Sequence, residues 1–229
     1  MGLKEVLSRS LELLREEPRL FVPKLASTTI STAWVIGLLN SVGESTYLYY
    51  ALALPFITLL GVFVSVMVAA MVDSGSGLRE GFYRTIRRWK TLLGASGIFL
   101  VTGLVFSLPM SIGLMFYLVA GNLVALAIGS LVSISAILLF SFGVYFLPIT
   151  IVKNRSIMES LKDSATTSRQ NSREVSLLLL FSLALLGLAS VSQGTLRGIG
   201  YLGFALGRLL SAMATTYLFV VSPNYYLSE

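Results

Sequence analysis

Cysteine and histidine are both absent from this chain of 229 residues. Without Cys there can be no disulfide, thiolate metal site or thiol nucleophile. Without His, the commonest metal ligand and the commonest general base near neutral pH are missing. Charge is also scarce. Only 12% of residues are Asp, Glu, Lys or Arg, while 55% are hydrophobic; soluble domains carry roughly 25% charged residues. The scarcity is uneven, because residues 25–43, 45–72, 91–152, 175–196 and 209–228 hold no charge at all. No carboxylate therefore falls inside a long apolar run.

A spanning helix takes about 20 apolar residues. The stretch 91–152 has length for two and each other stretch for one. Only helices and closed barrels satisfy the backbone in lipid, and these runs are continuous rather than alternating with period two. The expectation is an all-α integral membrane protein with about six transmembrane helices, near 20–40, 49–72, 91–119, 123–151, 175–192 and 199–221. The third and fourth exceed what a bilayer requires. They would tilt, or bend at Pro109 and Pro148.

The charges that are present cluster between these runs. Lys4, Arg9, Arg15, Arg19 and Lys24 lie in 3–24; Arg79, Arg84, Arg87, Arg88 and Lys90 lie in 73–90; Lys153, Arg155, Lys162, Arg169 and Arg173 lie in 152–174. The connections near 41–48, 120–122 and 193–198 contain only one basic residue, Arg197. The positive-inside bias then predicts a multi-pass protein of the cell membrane with these three segments, and both termini, in the cytoplasm. The net charge of +6 points to membrane lipids as partners rather than nucleic acid. The N-terminal MGLKEVLSRSLELLREEP mixes acids and bases and lacks a small-residue cleavage site, so it does not read as a cleaved signal peptide. Its Met-Gly start is a poor myristoylation match, which Arg9 and Ser10 do not improve.

The three basic segments resemble one another. Each begins apolar-x-Glu: Leu3 with Glu5, Leu78 with Glu80, Ile157 with Glu159. An apolar residue follows two positions on, at Leu7, Phe82 and Leu161, and each segment leads into a hydrophobic pair. This reads as a single polytopic domain, 1–229, of three repeats near 3–72, 78–151 and 157–221. Each would be a hairpin preceded by a cytoplasmic amphipathic interfacial helix. In the first, Leu3, Val6, Leu7, Leu11 and Leu14 share a face. In the second, Leu78, Phe82, Ile86 and Trp89 do, with Arg84, Arg87 and Arg88 beside them as anchors at the headgroups.

Pro148, Ile151-Val152, a polar gap, Leu161 with Ser164, and Asn171 before a new span form a pattern, as do Glu17-Pro18 and Arg19 at the N-terminus. In these the chain resembles the uncharacterised multi-span membrane families of archaea and bacteria related to the membrane domain of glycerophosphoryl diester phosphodiesterases. The resemblance covers the whole chain through degenerate motifs. It implies a membrane domain with no known catalytic set, so no functional residue carries over. The phosphodiesterase catalytic domain has no counterpart here.

Several motifs remain. Gly198-Ile-Gly200-Tyr-Leu-Gly203 has the spacing of a dinucleotide loop but leads into a span, where no preceding strand exists. Gly203 and Gly207 are spaced for close helix packing, within the chain or between copies. Gly94 with Gly97 is another small face. Ser27, Thr28, Thr29, Ser31 and Thr32 form a hydroxyl-rich stretch, either helix glue or a pathway lining. Asp73 reads as the boundary of the second span. Arg208 stands out, because a central Arg costs about 2.5–3.5 kcal/mol to insert and needs a partner. Helix-end carbonyls, Asn40, Asn122, Gln193, a lipid phosphate or another protein are candidates. In a shifted span it would instead snorkel to the outer interface. With Arg197 it would suit an anionic headgroup or anionic substrate.

These residues favour a non-enzymatic scaffold, accessory subunit or lipid-surface organiser, acting with lipid, a second copy or a partner membrane protein, and with no catalytic residue, cofactor or metal. The alternative is a small transporter or channel for an anionic or lipid-like substrate, with sites at repeat interfaces. Mitochondrial carriers share the three two-span repeats, but their Pro-x-Asp/Glu-x-x-Lys/Arg signature is missing. Catalysis would fall to Asp73, Glu44 and hydroxyls that show no pairing.

Overall fold

The computed structural model describes residues 2–40, 45–153 and 156–228; the side chains of 35, 38–40, 45–52 and 197 are outside that description. Among the described residues all regular structure is helical. In chain order it comprises α1 (Leu3–Glu16), α2 (Val22–Asn40), α3 (Ser45–Ser74), α4 (Leu78–Ile86), α5 (Trp89–Ala120), α6 (Leu123–Val144), α7 (Leu147–Lys153), α8 (Ile157–Gln170), α9 (Ser172–Arg197) and α10 (Tyr201–Ser228), with a 3-10 turn at Pro18–Phe21. Five stretches are long and apolar enough to cross a membrane: Ala53–Ser74, Trp89–Ala120, Leu123–Lys153, Ser172–Leu196 and Tyr201–Ser228. The protein is therefore a multi-pass membrane protein by helix length and composition. The first apolar run, in α2, is not one of the five.

Local chemistry sets the boundaries. Gly75, Gly121 and Gly200 have positive φ, which a glycine adopts without strain, and they stand where α3 and α5 end and α10 begins. The Asn122 side chain accepts from the Ala125 N–H at the start of α6, and Ser156 with Glu159 forms a capping box on α8. The two prolines behave differently. The helix runs through Pro109 inside α5. Ahead of Pro148 it breaks between α6 and α7, and the freed groups find new partners. The Phe146 N–H donates to Ser164 Oγ at 3.1 Å, and Ser222 Oγ donates to the Tyr145 carbonyl at 2.7 Å. Pro148 itself sits in the first turn of α7, where a missing N–H costs least.

α5 packs along α6, α9 along α10, and α2 along α3, while α3 and α10 meet in the middle. The three short helices each seat on the end of a longer element: α1 on α10, α4 on α3, and α8 on α6 and α7. They bury small or mixed residues. Val6, Ser10 and Leu14 are buried on α1, Gly81 and Thr85 on α4, and Ser160, Ser164 and Ser168 on α8. These stripes recur every four residues, one helical face. The shared apolar face expected for α4 is not its buried one: Phe82, Ile86 and Trp89 are exposed, and only Leu78 joins the core. Glycine explains the choice. A Cβ at Gly81 would meet Met71 Cγ at 2.5 Å, so the small face lets α4 approach α3 where the Phe82 face cannot.

The cores gather at this basic end of the bundle. Val6, Ala69, Phe146, Ile149, Val175, Leu178, Val221 and Tyr225 form one cluster; Leu14, Leu20, Met67, Val68, Met71 and Val220 form another. Val66, Leu92, Ala95, Leu147 and Ile151 make a third.

Candidate functional site

Arg208 stands on α10 one residue beyond Gly207, and the glycine spacing directs it. A Cβ at Gly203 would collide with the Leu196 carbonyl, and one at Gly207 would meet Gln193 Cα at 2.8 Å. Both glycines therefore face the last turns of α9. A helical step of about 100° then turns Arg208 away from α9 and toward α2. The Gly198–Gly203 motif is thus a helix-to-helix turn, with Gly200 supplying the left-handed residue.

On α2 the guanidinium meets hydroxyls. Its Nε donates to Thr32 Oγ1 at 3.2 Å and its Nη2 to Ser31 Oγ at 2.5 Å. The Ser31 hydroxyl passes its own hydrogen to the Thr28 carbonyl at 3.1 Å, leaving its lone pairs for Arg208. Arg208 bonds to neither Asn122 nor Gln193. Its partners come from the hydroxyl-rich stretch of α2. Two of five N–H donors are used in this way. Among the described residues no carboxylate forms an ion pair with it.

A cavity of about 170 Å³ opens beside it between α2, α3 and α10, lined by Lys24, Ser27, Ser31, Gly61, Arg208 and Ser211 among others. Lys24 lies over the Phe219 ring at 5.8 Å and close enough to Arg208 for the two charges to repel. From Lys24 to the level of Ser31 and Thr32 is about 11 Å along α2. The site thus runs inward from the basic end. Two cations, several hydroxyls and no acid make a chemical environment that an anion would complete.

Beyond Gly61 lies a second, larger cavity of about 520 Å³, where α3, α5, α6, α7, α9 and α10 converge. Val62, Phe99, Val144, Leu186 and Phe219 give it mostly apolar walls, and Gly61 lines both cavities.

The other expected residues lie elsewhere. The Arg197 and Asn40 side chains and Glu44 are outside the described residues. Arg84 bridges Asp73 at 3.5 Å and Glu80 at 3.2 Å, so Asp73 is a helix-joining residue that also meets Lys153 at 3.9 Å. Arg88 donates to the Val152 carbonyl at 3.3 Å. Arg87 points outward into a surface cleft shared with Arg79 and Tyr83, and Trp89 is 53% exposed with Lys90 over its ring at 5.7 Å. Arg84, Arg87, Arg88 and Trp89 make these contacts and none with Arg208. A Cβ at Gly94 would touch Ile157 at ordinary contact distance, and one at Gly97 would meet no atom within 4 Å. Among the described residues no group of His, Cys, Asp and Glu could hold a metal ion.

Compared with protein-family models, curated proteins and solved structures, the chain matches none.

Proposed function

We propose that this is a non-enzymatic polytopic membrane protein that works through bound lipid, as a scaffold, accessory subunit or organiser of the lipid surface. In this reading α2 joins the five apolar helices as a sixth span. The spans form three hairpins, α2 with α3, α5 with α6, and α9 with α10. The short helices α1, α4 and α8 lie at the headgroup level of the cytoplasmic leaflet of the cell membrane, and both termini are cytoplasmic. The outward placement of Phe82, Ile86, Arg87 and Trp89 supports that position for α4. The resemblance to the membrane domain of glycerophosphoryl diester phosphodiesterases is part of the same proposal.

The observation that carries the reading is the Lys24–Arg208 cavity. Its hydroxyls and cations offer binding groups for an anion, and it contains no base or nucleophile pairing that would transform one. The test is thermal denaturation of the detergent-purified protein titrated with phosphatidylglycerol or phosphatidylcholine. The anionic lipid raises the midpoint and the zwitterionic one does not, and Arg208→Gln removes most of the difference. Equal shifts with both lipids, or a full shift in the variant, would overturn the reading.

Transport is the second reading, favoured by the cavity at the helix convergence. Proteoliposome flux of an anionic or lipid-like substrate, lost in Arg208→Gln, would replace the scaffold with a carrier.

A further inference from the structure

The two cavities are adjacent, and they differ in chemistry as the two ends of a lipid do. We propose that together they form one site for a single anionic, chain-bearing lipid, with its phosphate at Lys24 and Arg208 and an acyl chain passing Gly61 into the central apolar cavity. This rests on the anion-site reading of Arg208 and goes beyond it by committing to the occupant and its path.

Three observations carry the proposal. The first is charge complementarity. The polar cavity presents two cations and the hydroxyls of Ser27, Thr28, Ser31 and Ser211, and among the described residues no acidic one lines it. A phosphate accepts from donors of both kinds. The second is adjacency. Gly61 lines both spaces, and a Cβ built there would meet no atom within 4 Å, so no side chain crowds α3 where the two adjoin. The third is size and lining. The larger cavity, about 520 Å³, falls within the range of about 300–1,000 Å³ typical of ligand pockets, which are mostly apolar with a few placed polar groups. Free phosphate would fill only the small cavity and leave the large one unused.

Entry follows from the same geometry. Lys24 lies in the first turn of α2 and Arg208 at the level of Ser31, so the phosphate enters from the basic end. The chain then turns inward past Gly61 instead of lying along the outer surface with bulk lipid.

The test uses the full chain in detergent with a phosphatidic acid carrying a photoactivatable group on its acyl chain. Crosslinked residues are mapped by mass spectrometry, and glycerol phosphate, which has the headgroup without the chain, serves as the comparison ligand. In the unmodified protein the chain crosslinks to Phe99, Leu186 or Phe219. Gly61→Leu puts a side chain where the two cavities adjoin, and its Cβ meets no atom within 4 Å. It should cut those crosslinks on the order of tenfold, and lower the midpoint shift caused by glycerol phosphate by much less. Lys24→Gln weakens both. Three results overturn the proposal. One is crosslinking confined to outward residues such as Leu118, Val119 and Leu139. Another is internal crosslinking that Gly61→Leu leaves unchanged. The third is a lipid that binds no more tightly than glycerol phosphate. Each of these leaves the anion site of Arg208 standing. Loss of all preference for anions overturns that reading too.

Discussion

At the basic end, Phe146 is fully buried and stacked on Tyr225 with ring centroids 5.8 Å apart; at the opposite end of α5, Leu118 and Val119 are 73% and 79% exposed. Both regions are rich in apolar residues, and they are built on different rules. Around Phe146 the chain packs large side chains from α1, α3, α7, α9 and α10 into shared clusters. It also satisfies its backbone across elements, as when Tyr217 donates to the Leu7 carbonyl at 3.0 Å. Along α5 and α6 most large aliphatic side chains turn outward, and beside the edge contacts of Phe140 with Phe99 and Phe106 the helices meet through glycine. A Cβ at Gly113 would lie 2.6 Å from the Ala125 carbonyl, and one at Gly129 would collide with that of Pro109. Where lipid surrounds a helix, turning Leu or Val inward gains little, because the solvent is already apolar, and close backbone contact takes over as the cohesive force. Hydrophobicity therefore marks the interior at one end and the exterior at the other.

Three substitutions separate these rules, each read as thermal or denaturant stability of the purified protein. Phe146→Ala removes the largest shared contact at the basic end and costs about 3–5 kcal/mol. A loss below about 1 kcal/mol would mean that this end is not a packed core. Gly129→Leu introduces a side chain where two backbones touch and costs about 1–3 kcal/mol by overpacking. A neutral result there would show that α5 and α6 are free to separate. Val119→Ala, a deletion of similar chemistry on the outward surface, stays within about 0.5 kcal/mol. A larger loss would reveal a protein neighbour on that face, and with it a second copy or a partner subunit.

The apolar runs foretold the long helices well: 91–119 against α5 at Trp89–Ala120, and 123–151 against α6 and α7 together. Of the two prolines named as bend points, Pro148 stands just past a break and Pro109 lies inside a continuous helix. A proline can end a helix only where its surroundings take up the freed groups, and the Ser164 and Ser222 hydroxyls that do so come from distant segments. The buried faces of the short helices were hidden for a related reason. Hydropathy ranks Phe82 and Trp89 above Gly81 and Thr85, but it cannot tell an apolar residue that faces lipid from one that faces a core. At the candidate site Arg208 was conspicuous as a charge inside an apolar run, and the hydroxyls of 27–32 as a polar stretch inside another. Their pairing lay out of reach because the two stretches are joined only by the fold. Lys24 was counted among the charges that orient the chain, and nothing in the sequence set it beside Arg208. Gly61 carried no signal at all, since its importance is the space next to it.

The contact between α1 and α10 has a consequence for the order of assembly. Asn224 donates to Ser10 Oγ at 2.9 Å, and Tyr217 reaches the backbone of α1. α1 is thus seated by a helix more than 200 residues further along the chain. Val6 and Leu14 also meet residues of earlier helices, but Ser10 gains its Asn224 partner only once α10 has been made, so the cover over α1 is completed late.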